Sequence, residues 1–296
     1  MDVEMKIQEP INRVTRKQKL KNYSKHPGSF LLALLTKLAI LLTVLALGFI
    51  LIYILVKGIP NLSTDLFALK YTTENVSMLP AIINTLTITL LSLCIAGPIG
   101  IFSAIYLVEY AKKGNKLVEV VRVTAETLTG IPSIVYGLFG MLFFVTTLKC
   151  GYSLLAGALT LSIMVLPVIM RTTEEALLAV PNSFREGSFG LGAGKLRTIF
   201  KIVLPSAIPG ILSGIILAIG RIVGETAALI YTSGTVANLA GFFDSGRTLA
   251  IHMYSLSREG MHTNEAYATA VVLLIVVLII NGVSSLIAKK FEAPKQ

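Results

Sequence analysis

Residues Glu186-Gly-Ser-Phe-Gly-Leu-Gly192, followed after nine residues by Ile202-Val-Leu-Pro205, form a short polar segment between two long apolar stretches. Glycines 190, 192 and 194 permit a tight reversal, because glycine adopts positive φ without steric cost. Apolar residues between 196 and 204 recur near helical spacing, and a proline such as Pro205 is typical of a helix start. The pattern predicts a helix–turn–helix that projects from a membrane.

The composition indicates a membrane protein. Hydrophobic residues make up 54% of the 296 residues, charged residues make up 14%, and the mean hydropathy is +0.77. So much apolar surface is stable only when lipid solvates it. We predict an all-α integral membrane protein with six transmembrane helices, at about 34–56, 81–107, 127–148, 153–171, 206–231 and 267–288.

The positive charges predict how these helices are oriented. Nineteen Lys and Arg residues precede the first span, follow the second and fourth spans, or lie in the tail, against five in the other three loops. Because cytoplasmic loops retain Lys and Arg, we expect a multi-pass protein of the cell (inner or plasma) membrane with both termini in the cytoplasm. The excess charge lies in loops and forms no compact basic domain, which argues against nucleic-acid binding.

We divide the chain into three parts. Residues 1–28 form a cytoplasmic basic arm, residues 29–290 form the transmembrane domain, with the polar loop at about 172–204, and residues 291–296 form a cytoplasmic tail. The arm is polar without a sustained apolar face, which favours a disordered segment near anionic lipid. A specific docking role is the alternative.

Two charged residues, Arg221 and Glu225, lie inside the fifth predicted span. A charge at the membrane centre costs ~2.5–3.5 kcal/mol on insertion scales and needs a reason. Four residues apart on a helix, the two would pair, either as a structural ion pair or with Arg221 lining a path for an anion and Glu225 positioning it. Arg171, at the end of the fourth span, is a second anion contact or a positive-inside anchor. A guanidinium suits an oxyanion because its planar fork gives bidentate hydrogen bonds.

Small residues in the fifth span predict close helix packing. Gly210 and Gly214, and again Gly220 and Gly224, recur at the small-xxx-small spacing that lets helices approach closely.

The chain carries no recognisable nucleotide or metal motif. A P-loop would need Gly at 189 and Ser or Thr at 196, where Phe189 and Leu196 stand. The three histidines lie far apart without ligand spacing, and two cysteines make no disulfide framework. We therefore predict no bound cofactor, no metal and no catalytic residue in this chain.

Five residues of the polar loop, Glu186, Gly192, Ile202, Leu204 and Pro205, resemble in order and spacing the signature loop of ABC importer permeases. Gly187 and Ser188 take the place of two alanines that are common there. The resemblance implies that residues 183–195 form a coupling helix in a cleft of an ATP-binding subunit. The implied ATPase-coupling residues are Arg185, Glu186, Gly187, Ser188, Gly190, Gly192, Ile202, Leu204 and Pro205. An ordinary amphipathic loop is the alternative.

Two further stretches, Gly220-Arg-Ile-Val-Gly-Glu-Thr-Ala227 and Ile131-Pro-Ser-Ile-Val-Tyr-Gly137, resemble the membrane subunits of phosphate-specific ABC importers, in particular the A-type subunit. This resemblance implies a type I importer fold and alternating access. It also implies a heterodimer with a C-type permease, an ATP-binding subunit dimer that binds ATP and Mg, and an external phosphate-binding protein. The alternatives are a permease for sulfate or molybdate, an ATPase-independent secondary transporter, and a scaffold or sensor component.

Overall fold

The computed structural model describes residues 27–112 and 114–291, and every regular element in this part of the chain is helical. The α-helices are α1 (Pro27–Gly58), α2 (Leu79–Ile105), α3 (Lys116–Thr129), α4 (Ser133–Gly140), α5 (Leu154–Leu178), α6 (Asn182–Gly190), α7 (Lys195–Thr198), α8 (Leu204–Val223), α9 (Ala227–Ile230), α10 (Leu249–Glu259) and α11 (Thr263–Phe291). Three π-helical segments extend α2 and α4 and join α7 to α8; they are Tyr106–Tyr110, Met141–Thr147 and Ile199–Val203. The predicted all-α class is confirmed.

Five helical segments of the described chain are long and apolar enough to cross a membrane. They are Gly28–Asn61, Leu79–Tyr110, Leu154–Leu178, Lys195–Val223 and Thr263–Ala288. A sixth candidate consists of α3 and the α4 segment together, which meet at 103°. The span predicted at 127–148 thus falls on a bent pair that begins earlier, at Lys116, because Gly130 and Pro132 break the helix. The predicted arm and tail lie almost wholly outside the described residues.

By its contacts the chain divides into two compact units, Met1–Ile54 and Leu55–Gln296. In the first unit, α1 exposes apolar side chains around its circumference, and the Phe49 and Tyr53 rings stack with centroids 6.1 Å apart. A helix that is apolar all round requires an apolar surrounding. This part of α1 has the surface of a lipid-solvated helix.

In the second unit, small and polar side chains bring α2 and α5 close together. The Ser92 hydroxyl donates to the carbonyl of Ala158 at 3.2 Å, and the Ser162 hydroxyl donates to the carbonyl of Ser92 at 3.2 Å. A Cβ on Gly100 would lie 2.9 Å from the side chain of Ile169. Close backbone approach and hydrogen bonds between helices stabilise membrane bundles, and this contact forms the centre of the core.

The irregular segment between α9 and α10, residues 231–248, is held by Asn84 at the start of α2. The Asn84 amide nitrogen donates to the carbonyls of Asn238 at 3.0 Å and Arg247 at 3.2 Å, and its amide oxygen accepts from the N–H of Ala240 at 3.1 Å. Asn84 is 1% exposed. One buried side chain thus satisfies three backbone groups of a segment without regular structure.

We predict that Asn84→Ala lowers the free energy of unfolding by about 2–3 kcal/mol, because it leaves buried carbonyl and N–H groups without partners. Thermal unfolding of the purified protein in detergent measures this effect. The control is Asn61→Ala, which removes a single exposed hydrogen bond, from the Asn61 amide to the Lys57 carbonyl. Equal melting temperatures for the two variants would contradict the structural role of Asn84.

Candidate functional site

The polar loop folds into a compact unit of two helices, here called the coupling segment (residues 182–203). Helix α6 begins at Asn182, directly after Pro181, and Gly192 adopts a φ of +81°, which reverses the chain. Gly194 then precedes α7. The helix–turn–helix agrees with the sequence analysis. No side chain caps α6, and Pro181, whose φ is fixed by its ring, stands directly before the helix.

A buried hydroxyl pair holds the two arms of the coupling segment together. The Ser188 and Thr198 hydroxyl oxygens lie 2.8 Å apart, and Ser188 is 4% exposed. The N–H of Ala193 also donates to the Ser188 carbonyl at 3.1 Å. Added Cβ atoms at Gly187 and Gly190 would meet no described atom within 4 Å. Ser188, and not Gly187 or Gly190, therefore makes the close contact between the two arms of the coupling segment.

Arg185 fastens the coupling segment to the transmembrane helices. Its Nε and Nη2 donate to Glu109 Oε1 at 3.0 and 2.6 Å, its Nη1 donates to the Val180 carbonyl at 2.8 Å, and its Nη2 donates to the Leu177 carbonyl at 2.9 Å. Both charged side chains are largely buried. Glu109 belongs to the π-helical end of α2, and Leu177 to the last turn of α5. One guanidinium thus joins three elements.

A second contact joins the coupling segment to the same end of α2. The Lys195 ammonium lies 4.8 Å from the centroid of the Tyr110 ring, which is within the range of a cation–π attraction. Arg185 and Lys195 therefore hold both arms of the segment against the π-helical turn of α2.

The opposite face of the coupling segment is exposed and mixed in character. Phe184, Phe189 and Leu191 are exposed, and Leu191 reaches 92%. Glu186 is exposed between them and makes no hydrogen bond or ion pair with the described residues. A groove of about 440 Å³ runs beside them, lined by Ser188, Leu191, Gly192, Ala193, Arg197, Lys201 and Ile202. Apolar anchors beside unpaired charges and a groove are the features of a protein-binding surface.

The coupling segment continues into the next membrane helix without a loop. The π-helical turn Ile199–Val203 leads directly into α8, with Pro205 in its first turn. A proline lacks the N–H that an α-helix uses there, and π-turns accommodate such interruptions. Ile202 and Leu204 are half-buried and Pro205 is exposed. The span predicted at 206–231 thus begins earlier, at Lys195, and ends earlier, at Val223.

The helical ion pair expected between Arg221 and Glu225 is absent from the described structure. Helix α8 ends at Val223, Gly224 closes its last turn, and Glu225 lies beyond the helix, so the two charges do not share a helical face. The Glu225 carboxylate instead accepts from the N–H of Ala228 at 3.0 Å and caps α9. Arg221 is half-buried and occupies the last turn of α8, where the helix dipole favours a cation.

The break after α8 meets the bend between α3 and α4. A Cβ on Gly137 would lie 2.8 Å from the Ala228 Cα, so α4 and α9 pack backbone to backbone. The Tyr136 hydroxyl donates to the Leu128 carbonyl at 2.7 Å and holds the two arms of the bend. Two interrupted helices therefore lie side by side near Arg221. Non-helical backbone at membrane depth is stable only where protein or a cavity surrounds it.

The four glycines of the fifth predicted span divide into two groups. Cβ atoms on Gly210 and Gly214 would collide with Ala176 and Thr172 of α5, so these glycines face a close neighbour. A Cβ on Gly220 would meet no described atom within 4 Å, and one on Gly224 would meet only the carbonyl of Gly220, at 3.5 Å. The packing predicted for the second pair is thus not made within the described chain.

Arg171 belongs to a charged cluster between α3 and α5. Its guanidinium lies 3.6 Å from Glu126 and 3.2 Å from Glu175, and Arg122 pairs with Glu174 at 2.5 Å. These residues line a pocket of about 250 Å³. Arg171 is 56% exposed. The structure therefore pairs Arg171 with carboxylates of α3 and α5.

Sequence reasoning missed Glu109 and Tyr136 as partners in this arrangement. Glu109 carried a signal, since it is an acidic residue at the end of an otherwise apolar helix, but its partner lies 76 residues away. Tyr136 lies within a motif that the resemblance had singled out. Within the described residues, no group of three or more His, Cys, Asp or Glu side chains is placed to hold a metal ion.

We predict that Arg185→Met lowers the free energy of unfolding by ~3 kcal/mol or more, because it leaves the Glu109 carboxylate largely buried without its cation. The control is Arg171→Met, which removes exposed ion pairs and is expected to cost less than ~1 kcal/mol. Melting temperatures of both variants in detergent test the difference. A loss for Arg185→Met no larger than that for the control would contradict the fastening role of Arg185.

Comparison with known proteins places this arrangement in a family. Residues 96–293 match the family described as "Binding-protein-dependent transport system inner membrane component". The chain is 37% identical over 258 residues to a phosphate transport system permease protein PstA of Pasteurella multocida, covering 85% of this chain and 91% of that protein. It is 34% identical over 264 residues to the probable ABC transporter permease protein YqgI of Bacillus subtilis, covering 81% and 90%.

Solved structures share the fold. A bacterial ABC transporter for import of the polysaccharide alginate matches with a TM-score of 0.65 at 17% identity, over 92% of this chain and all of that chain. The MetNI methionine ABC transporter, in an inward-facing conformation, matches with a TM-score of 0.58 at 20% identity, over 73% and 94%. Like these permeases, the chain is a membrane component, and ATP hydrolysis belongs to a separate subunit. The chain belongs to the family of binding-protein-dependent transport system inner membrane components, as a multi-pass permease subunit of the ABC importer type.

Proposed function

We propose that this chain is the A-type permease subunit of an ATP-driven phosphate importer. The relatives that are named phosphate permeases support the substrate, at 32–37% identity over most of the chain. The observation that carries the mechanism is the fastening of the exposed coupling segment to α2 and α5 through Arg185. We assign the ATPase contact to this segment. A force applied to that segment moves transmembrane helices.

The path from the coupling segment to the helix breaks is continuous helix. Lys195–Val223 forms one helical run of 29 residues, roughly 40 Å long at the rise of an α-helix. Its first turns belong to the coupling segment and its last turn carries Arg221. Internally hydrogen-bonded helices are stiff, so a displacement at Lys195 is passed to the region of Arg221.

Arg221 is the residue we assign to the anion path. It is half-buried beside the break at Gly224, and the described structure gives it no carboxylate partner, so its hydrogen-bond donors are free to meet an anion. Broken helices near the membrane midplane supply substrate sites in other transporters. Glu225, which caps α9, fixes the chain on the far side of that break. Arg171 is paired with the carboxylates of Glu126 and Glu175. It is a second contact for the anion only if the anion displaces these carboxylates.

In the proposed cycle, closure of the ATPase dimer on ATP draws the coupling segments together and opens the permease outward. Phosphate passes from an external binding protein into the path beside Arg221, and ATP hydrolysis then opens the path inward. A C-type permease completes a heterodimer, and ATP and Mg bind to the ATPase partner while this chain binds no cofactor. The excess of Lys and Arg in one set of loops supports a cytoplasmic location for both termini.

We predict that Glu186→Lys abolishes phosphate uptake while the complex still assembles in part, because it reverses an exposed charge on the face that meets the ATPase. Uptake by proteoliposomes that contain both permeases, the ATPase and the binding protein measures this. The control, Glu119→Lys, makes the same charge change at an exposed position on α3 and is expected to transport normally. Normal uptake by Glu186→Lys would refute the coupling role.

We predict that Arg221→Gln blocks uptake but preserves assembly and ATP hydrolysis, because it removes a cationic anion contact and leaves the helices in place. Lys70→Gln, which removes an exposed charge from the loop before α2, is the control. If Arg221→Gln instead reduces inserted protein as strongly as uptake, Arg221 has a structural role. Uptake of sulfate or molybdate in place of phosphate would keep the importer and correct the substrate.

A further inference from the structure

A second arginine, Arg247, lies just before α10, and hydrogen bonds hold its backbone in place. Its backbone N–H donates to the Val236 carbonyl at 2.8 Å, and its carbonyl accepts from the Asn84 amide at 3.2 Å. Both backbone groups are therefore fixed by separate parts of the fold. The side chain is 5% exposed, so the fold buries a permanent cation here.

The guanidinium of Arg247 rests on an aromatic ring, and two of its three nitrogens have no acceptor among the described residues. Its Cζ lies 4.7 Å from the centroid of the Tyr71 ring, and a hydrogen-bonded turn holds Tyr71, in which Asn75 accepts from Thr72 N–H at 2.8 Å and donates to the Lys70 carbonyl at 2.9 Å. Nε and Nη2 of Arg247 are buried and have no hydrogen-bond partner among the described residues. Buried charged donors without acceptors are costly, so an anion close to this guanidinium would stabilise it.

The neighbours of Arg247 include other polar groups without partners. The Thr248 hydroxyl is buried without a hydrogen bond to another described group. The ring nitrogens of His252 are also buried and lack a hydrogen bond of ordinary geometry, although the ring interacts with the Val76 backbone. Burial and the charge of Arg247 lower the pKa of His252 to about 3, so the ring is neutral at physiological pH. His252 therefore adds donor and acceptor capacity beside Arg247 without a competing charge.

A pocket of about 420 Å³ opens beside Arg247. The other lining residues include Arg258, Thr235, Ser255 and Glu259. Two arginines, three hydroxyl-bearing residues (Thr235, Tyr254 and Ser255) and a single carboxylate thus line one cavity. No ion pair joins Glu259 to either arginine in the described structure. Cationic forks with hydroxyl donors are the groups that bind tetrahedral oxyanions.

We propose that this pocket binds a phosphate group, with Arg247 as its principal contact and Arg258 at its rim. The ligand is free inorganic phosphate or the headgroup of an anionic phospholipid, which share this chemistry. Ile230 of α9 also lines the pocket, so the site adjoins the broken span that carries Arg221. Under the proposed function, on which the choice of ligand rests, the pocket is an outer anion station before Arg221.

The test measures thermal unfolding of the complex of both permeases and the ATPase in lipid-free detergent. One arm titrates inorganic phosphate and the other titrates phosphatidylglycerol. All complexes carry Arg221→Gln, which removes the other proposed anion contact. Arg247→Gln is compared with Lys70→Gln, the matched loss of an exposed charge nearby. Because ATP and the binding protein are absent, a failure of phosphate import would not alter the outcome.

We expect phosphate to raise the melting temperature with Lys70→Gln, and Arg247→Gln to increase the half-saturating phosphate concentration at least ~tenfold. An Arg247-dependent response to phosphatidylglycerol alone would support the site and assign it to a lipid headgroup. Identical responses of the two variants in both arms would overturn the proposal.

If Arg247→Gln fails to assemble, Arg258→Gln provides a second test, because Arg258 is exposed and its loss leaves the core intact. It is expected to weaken the response severalfold through loss of one charged contact. An unchanged midpoint would contradict the proposal.

Discussion

The need to satisfy every backbone polar group within the bilayer governs this structure. Apolar helices meet that need by themselves, but the chain breaks its helices after Thr129 and after Val223. At each break a side chain forms a hydrogen bond to the backbone. The Tyr136 hydroxyl donates to the Leu128 carbonyl, and the Glu225 carboxylate accepts from the N–H of Ala228 at the start of α9. Gly130, Pro132 and Gly224 at these breaks are exposed in this chain, and irregular backbone at membrane depth must be covered by protein or line a water-filled cavity. These breaks are therefore the places where a path for a polar solute is possible.

The contacts of the coupling segment explain how motion of that segment reaches those breaks. The coupling segment is closed on itself by Ser188 and Thr198 and fastened to α2 and α5 by Arg185. Its second arm continues into α8 without an intervening loop. A partner that binds the exposed face of this segment and moves it therefore also moves the transmembrane helices to which the segment is attached. In the proposed mechanism, the region of Arg221 and the ATPase thus communicate through stiff helices.

Much of this arrangement could be predicted from the sequence. The apolar spans and the turn at Gly192 follow from composition and local backbone preference, which neighbouring residues determine. The pairing of Arg221 with Glu225 was wrong because helical spacing was assumed through Gly224, where the helix ends. The contact between Glu109 and Arg185 joins residues distant in sequence, so no local pattern predicts it. The role of Asn84 depends in the same way on tertiary contacts.

The most direct measurement of the central claim is a pair of distances in the reconstituted complex, taken with spin labels in a chain whose two cysteines are replaced. One distance joins position 182 of the coupling segment to position 106 at the end of α2, and the other joins position 182 to the coupling segment of the partner permease. We predict that ATP, with an ATPase unable to hydrolyse it, shortens the second distance and leaves the first unchanged. A change in the first as large as in the second would show that the coupling segment pivots freely, and would contradict the account.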